Sequence, residues 1–213
     1  VSHPRYARYA GLIGLLIVAL VVVNTLLVRS DGAAGIAPGK MLAPFAVPLA
    51  LGNLQGDANI ATHAHEGSAG NVPACSVRGT QVLNLCQLYE HGPVVLALFV
   101  NGGGCTRILS EMQALLKGFP GVSFAAVAIE GQRSQLRRLV RARGLTLPVG
   151  IDEDGAVATI YKVFSCPQVN FAYPGGVVQS KALLRTPSLA ELRARVGQLV
   201  AASRARGWQE VKA

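Results

Sequence analysis

From Ala10 to Val28 the chain is an almost unbroken apolar run, AGLIGLLIVALVVVNTLLV, interrupted only by Asn24 and Thr25. At 1.5 Å rise per residue, a helix over this run reaches roughly 28 Å, enough to cross the hydrocarbon core of a bilayer. Arg5 and Arg8 precede the run, so the positive-inside rule places residues 1–9 in the cytoplasm and the rest of the chain outside it. Arg29, just after the run, is a mild counter-signal. A cleaved leader with its small-residue site near Ala33-Ala34-Gly35 is the competing reading, although the run is long for one. Both readings put the remainder in a compartment where disulfides persist.

Residues 29–40 are small, Gly-rich and Pro-containing, which reads as a linker. One domain is then expected over residues 41–210, with a poorly periodic loop insertion near residues 51–73. Val82 to Tyr89 is expected as a short strand running into a turn. Pro93 to Val100 (PVVLALFV) is continuously apolar and rich in β-branched residues, the pattern of a buried central strand. Beyond Asn101-Gly102-Gly103-Gly104, apolar residues recur at Ile108, Leu109, Met112, Leu115 and Leu116, one face of a helix ended by Gly118 and Pro120. Val122 to Ile129 reads as a second buried strand. Ser134 is expected to cap a helix with Leu136, Leu139 and Val140 inward and Gly144 as its stop. Leu147 to Ile151 follows as a third strand, then a short helix through Val157 and Ile160. Val169 to Tyr173 and Val177 to Ser180 read as a hairpin around Pro174-Gly175-Gly176. A last helix starts at Ser188, with Glu191 completing a capping box. Strands alternating with helices, then a hairpin and a helix, specify a mixed α/β sheet flanked by helices.

Composition narrows the chemistry. Lys and Arg number 20 against 11 acids, a formal charge of +9, but the one basic cluster, Arg133 to Arg143, has no interleaved aromatic residues. It therefore reads as a solvated helix face, with attraction to anionic lipid second, and no nucleic-acid partner is expected. His63, His65, Glu66 and Asp57 are metal-ligand types in a loop without a scaffold, so no metal site is expected there. His91 is expected to face solvent. Gly102-Gly103-Gly104 is no phosphate loop, since no Lys-Ser/Thr follows, and no Ser-His-Asp arrangement is recognisable.

Four cysteines, Cys75, Cys86, Cys105 and Cys166, allow three full pairings. A structural disulfide between Cys75 and Cys86 is the plain reading of the first two, with a shuttle that resolves Cys105 as the alternative. Cys105 has the surroundings of a reactive thiol. It opens a helix, where free N–H groups and the dipole favour a thiolate, and the glycines before it allow close approach of a substrate. Arg107 adds positive potential. The opposite reading makes Cys105 a buried, inert remnant.

Three stretches, KMLAPFAV (Lys40 to Val47), GPVVLALFVNGGGC (Gly92 to Cys105) and YKVFSCPQVNFAYPGGVV (Tyr161 to Val178), resemble the thioredoxin-like superfamily. The likeness is to its membrane-anchored extracytoplasmic thiol–disulfide branch and to the peroxiredoxins, and it spans roughly Lys40 to Trp208 without most of residues 51–73. It implies a thioredoxin-like mixed sheet in which Pro167 is a cis-proline. Where that family carries Cys-x-x-Cys, this chain reads Gly102-Gly103-Gly104-Cys105, a degenerate form. Leu98 and Gly102 replace the Pro and Thr of the peroxiredoxin pattern Pro-x-x-x-Thr-x-x-Cys. Since the residue before the cis-proline lies against the redox cysteine in these folds, the resemblance sets Cys166 opposite Cys105 as a non-local pair. It implies thiol–disulfide exchange on protein thiols or disulfides, catalysed by Cys105 and Cys166, with Pro167, Gly103 and Gly104 shaping the substrate edge. An electron-donor partner, rather than a bound cofactor, is implied. The alternative is a redox-inactive module that docks extended peptides beside Pro167. Peroxide reduction through a Cys105 sulfenic acid is the third possibility. Val94 to Val100 carries no Asp or Glu of the kind that relays protons in relatives, and Glu130, at the end of the next strand, is the nearby candidate.

Overall fold

A computed structural model of the chain describes residues 4–27, 35–129 and 131–210, with side chains at residues 9 and 11–22 of the first stretch. The chain divides into two units, Val1–Ala33 and Ala34–Ala213. The first contains helix α1 (Pro4–Leu27). Leu12, Ile13, Leu15, Leu16 and Ile17 are exposed on it. Among the described residues no helix is long and apolar enough to cross a membrane. The expected segments 1–9, 10–28 and 29–40 lie in part outside the described residues.

In the second unit, β1 (Ala46–Pro48) pairs antiparallel with β2 (Val82–Asn84). Helix α2 (Leu85–His91) follows without a break. The main sheet has the order β5-β4-β3-β6. Its members are β3 (Val94–Phe99), β4 (Ser123–Ala128), β5 (Val149–Ile151) and β6 (Gln168–Ala172). The first three run parallel and β6 runs antiparallel to β3. The parallel strands are joined through α3 (Arg107–Leu115) and α4 (Arg133–Ala142), α5 (Ala156–Ile160) leads towards β6, and α6 (Leu189–Ala205) closes the domain.

The continuous apolar run of β3 is explained by its two covered faces. Val95, Ala97 and Phe99 pack with Ile108, Met112, Leu136 and Leu192 from α3, α4 and α6. Val94, Leu96 and Leu98 pack with Phe45, Leu85, Val157 and Tyr161 on the other side. The period-2 alternation of a strand thus serves two cores at once.

The structure departs from the sequence expectations at several ends. The stretch expected as a strand and turn over Val82 to Tyr89 is mostly helix, because the Asn84 side chain accepts from the Cys86 and Gln87 amides and caps α2. Ser134 does not cap α4; Gln132 holds that place, with no side-chain cap bond. The returning segment at Val177 to Ser180 pairs with the end of β6 as expected, with the Tyr173 amide donating to the Val177 carbonyl and the Gln179 amide to the Phe171 carbonyl, both at 2.8 Å, but it forms only isolated bridges, Ala172↔Val178 and, on its other side, Met41↔Val177. Ser188 caps α6 by accepting from the Glu191 amide, but the Glu191 carboxylate pairs with Arg185 instead of completing a capping box. Nor is the 51–73 stretch wholly superficial. Ala58 and Ala61 are buried, and Asn59 exchanges backbone hydrogen bonds with Ala46.

Topology dictates one meeting point. Phe99, Ala128 and Ile151 are in register at the carboxyl ends of the parallel strands. Antiparallel β6 begins at that same edge, with Gln168 opposite Leu98. The loop leaving β3 and the segment leading into β6 are therefore brought together.

Candidate functional site

That meeting point carries Cys105 and Cys166. After Val100 the chain turns sharply, with the Gly102 amide donating to the Val100 carbonyl at 2.9 Å. Gly103 has φ +54°, a conformation that disfavours a side chain. A Cβ added at Gly102, Gly103 or Gly104 would meet no atom within 4 Å, so this arc opens to solvent. A 3-10 turn, Gly103–Thr106, then runs into α3. Cys105 sits inside this turn, two residues before the first residue of α3, and not at the first turn of the α-helix itself.

Cys105 and Cys166 are joined as a disulfide, with Cα atoms 5.5 Å apart. That separation is inside the limit of about 7 Å for bridging. Both residues are half-buried. The Val100 amide donates to Cys166 Sγ at 3.3 Å. The Cys166–Pro167 peptide is cis, and Pro167 is buried. Around the pair, the Thr186 hydroxyl donates to the Gly104 carbonyl at 3.5 Å, and Ser165 Oγ donates to the Leu184 carbonyl at 2.6 Å. Phe164 stands exposed two residues before Cys166.

The other two cysteines are joined as well, Cα to Cα at 5.3 Å. Cys86 is buried in the first turn of α2 and Cys75 lies in a 3-10 turn, Ala74–Ser76. Cys75 Sγ is 3.7 Å from the Tyr89 hydroxyl, whose pKa burial raises. The two bridges involve separate cysteines, and neither Cys75 nor Cys86 is paired with Cys105.

The polar loop at residues 57–66 is organised around one carboxylate. Glu66 accepts from the Thr62 amide and hydroxyl and the His63 amide, and lies 2.8 Å from His63 Nδ1. Those bonds hold its pKa down at about 2. Among the described residues no group of three or more His, Cys, Asp or Glu is placed to hold a metal. Glu130, the carboxylate singled out from the sequence, lies outside the described residues.

Three features of the site were not legible beforehand. The Val100 amide is one, since backbone donors leave no mark in a sequence. Arg143 is another: its guanidinium donates to both the carbonyl and the hydroxyl of Thr106, beside Cys105. Asp152 is the third. It is wholly buried just beyond the end of β5, on the sheet edge that bears the disulfide.

Comparison with known proteins agrees with this geometry. Residues 72–182 match the AhpC/TSA family. No curated protein matches the chain. Among solved structures, the chain resembles a protein from Chlorobium tepidum assigned as the thiol:disulfide interchange protein DsbE (18% identity, TM-score 0.55), over 79% of this chain and 98% of that one. It also resembles the peroxidoxin BcpB of Mycobacterium tuberculosis (17% identity, TM-score 0.55), over 84% and 99%. A third similar structure is a secreted Mycobacterium tuberculosis disulfide oxidoreductase homologous to Escherichia coli DsbE (20% identity, TM-score 0.50), over 55% and 89%. Likeness at these identities shows a thioredoxin-like fold.

Proposed function

Because the chain belongs to the AhpC/TSA family, we propose that it performs thiol–disulfide exchange on protein thiols, with Cys105 as the exchanging sulfur and Cys166 as its partner. The single observation that carries this reading is the Cys105–Cys166 bridge at the open carboxyl edge of the sheet.

In the oxidising direction, a substrate thiolate attacks Cys105 Sγ. The Cys105–Cys166 bond breaks and its electron pair departs on Cys166. The Val100 N–H already points at that sulfur and favours it as the leaving thiolate. A second substrate thiolate then attacks the substrate sulfur of the mixed disulfide and releases Cys105. The substrate gains a disulfide, two electrons rest on the cysteine pair, and both protein sulfurs take up protons. Reduction of a substrate disulfide is the same sequence reversed. Attack falls on Cys105 because the three preceding glycines leave its approach open, while Cys166 is backed by buried Pro167. Exposed Gly103 and Gly104 line the edge along which the substrate chain lies, and the buried cis-Pro167 shapes it from behind. Leu98 and Gly102 stand where a peroxidatic site needs Pro and Thr, which favours thiols over peroxide as the reaction partner.

The domain works outside the cytoplasm, tethered by residues 10–28. The apolar run, the preceding Arg5 and Arg8, and two disulfides in one small domain support this placement.

Trapping tests the exchange. Cys166→Ser is expected to accumulate a mixed disulfide through Cys105 with an unfolded protein substrate that carries a disulfide, the Cys105 thiolate displacing one substrate sulfur as its thiolate, and Cys105→Ser to accumulate none. Equal, negligible trapping by both variants would leave a peptide-docking module in place of an oxidoreductase.

A further inference from the structure

We propose that Arg143 is the positioning residue that holds Cys105 in reach of Cys166 once the bridge opens. The proposal rests on the exchange reading above and adds a residue to it.

Cys105 is poorly anchored from its N-terminal side. The three residues before it are glycines with no neighbour within 4 Å of a Cβ position, and among the described residues the side-chain hydrogen bond there is the long one from Thr186 to the Gly104 carbonyl, at 3.5 Å. When the disulfide is reduced, the covalent restraint also disappears. What remains is the C-terminal side, where Thr106 is buried at 7% exposure. Arg143 Nη1 donates to the Thr106 carbonyl at 2.6 Å and Nη2 to Thr106 Oγ1 at 2.9 Å. The planar guanidinium thus grips the residue next to Cys105 at two points, in a fork geometry that a lysine ammonium does not reproduce.

Arg143 is itself well placed to act as a fixed post. It closes α4, with its amide donating to the Leu139 carbonyl, and Gly144 follows at φ +57°. Leu145 and Leu147, just beyond, are buried. The same segment is tied to α3 a second time: the Gln113 carboxamide oxygen accepts from the Thr146 and Leu147 amides, and its nitrogen donates to Thr146 Oγ1. Gln113 sets the body of α3 against the segment, and Arg143 sets the turn that presents the sulfur.

The consequence is a higher effective concentration of one thiol at the other, and so a disulfide harder to reduce. Glutathione reads this directly. In that equilibrium the Cys105–Cys166 bond breaks, two protein S–H groups form, and two glutathione thiols are oxidised to one glutathione disulfide. The full-length chain is equilibrated with mixtures of reduced and oxidised glutathione, and the Cys105–Cys166 dithiol fraction is read by alkylation and mass analysis. Arg143→Gln is expected to shift the equilibrium constant about tenfold toward the dithiol, the scale of one or two ordinary hydrogen bonds. Arg143→Lys is expected to shift it nearly as far, because it keeps the charge and loses the fork. Thr106→Val, which removes the hydroxyl acceptor alone, is expected to give a smaller shift in the same direction. Pairing Arg143→Gln with Cys105→Ser and comparing thermal unfolding with Cys105→Ser alone checks that the fold is kept. A wild-type equilibrium in Arg143→Gln, or full restoration by Lys, overturns the proposal. If Arg143→Gln does not fold, an unshifted equilibrium in Thr106→Val overturns it instead. The readout requires no protein substrate, so failure of the trapping experiment and failure here are separate results.

Discussion

Asp152 accepts from the Ala158 amide through Oδ2 at 3.0 Å, while its buried Oδ1 has no hydrogen-bond donor. Burial, with the nearby Asp154 carboxylate adding to it, raises its pKa to about 6. A carboxyl whose pKa is higher folded than unfolded binds its proton more tightly in the native state. Its ionisation therefore opposes folding, and stability falls as pH rises from about 4 through about 6. Asp152→Asn is expected to flatten that part of the pH profile and to match or exceed the wild type at pH 7, as measured by urea unfolding of the oxidised protein. The residues of the site differ in how they announced themselves. Cys105 was conspicuous because three glycines and a helical periodicity surround it in the chain. Cys166 became a partner only through resemblance, since nothing local relates residues 61 positions apart. Arg143 was hidden in an arginine-rich helix whose charges all read as solvated, and only the fold distinguishes the one that reaches Thr106.

Among the elements, α2 shows what a single capping side chain does. Asn84 is buried, accepts from the Cys86 and Gln87 amides, and donates to the carbonyls of Ala74 and Val77 at 2.8 and 2.6 Å. It caps the helix and pins the turn that holds Cys75. Asn84→Ala removes all four hydrogen bonds, leaving the Ala74 carbonyl only its bond from the Val77 amide, and is expected to cost about 2–3 kcal/mol in denaturant unfolding. The strands that bury both faces, β3 and β4, were legible as continuous apolar runs, and α3 as a one-faced helix. The errors fall at element ends. Asn84 turned an expected turn after β2 into helix α2, and α4 is entered from Gln132, with no side-chain cap bond, where Ser134 was expected to cap it. The returning segment after β6 pairs with it as expected, and what the local sequence did not show is its second partner, residues 39–41, far away in the chain.

At the scale of the molecule, strand and helix order made the mixed sheet readable, because right-handed β-α-β connections leave few alternatives. What the order does not contain is the pairing of loops across the sheet edge. The Cys75–Cys86 bridge closes a short loop away from that edge. Replacing both cysteines by Ala is expected to lower unfolding free energy by about 2–3 kcal/mol, while Cys166→Ser in that background still traps substrate through Cys105. The Cys105–Cys166 bridge is of another kind, since it encloses α3, β4, α4, β5 and α5 in one covalent ring. In the proposed exchange, each turnover cuts and reseals a belt around about a third of the domain. Its oxidised form is expected to resist local fraying, and so proteolysis, better than its reduced form.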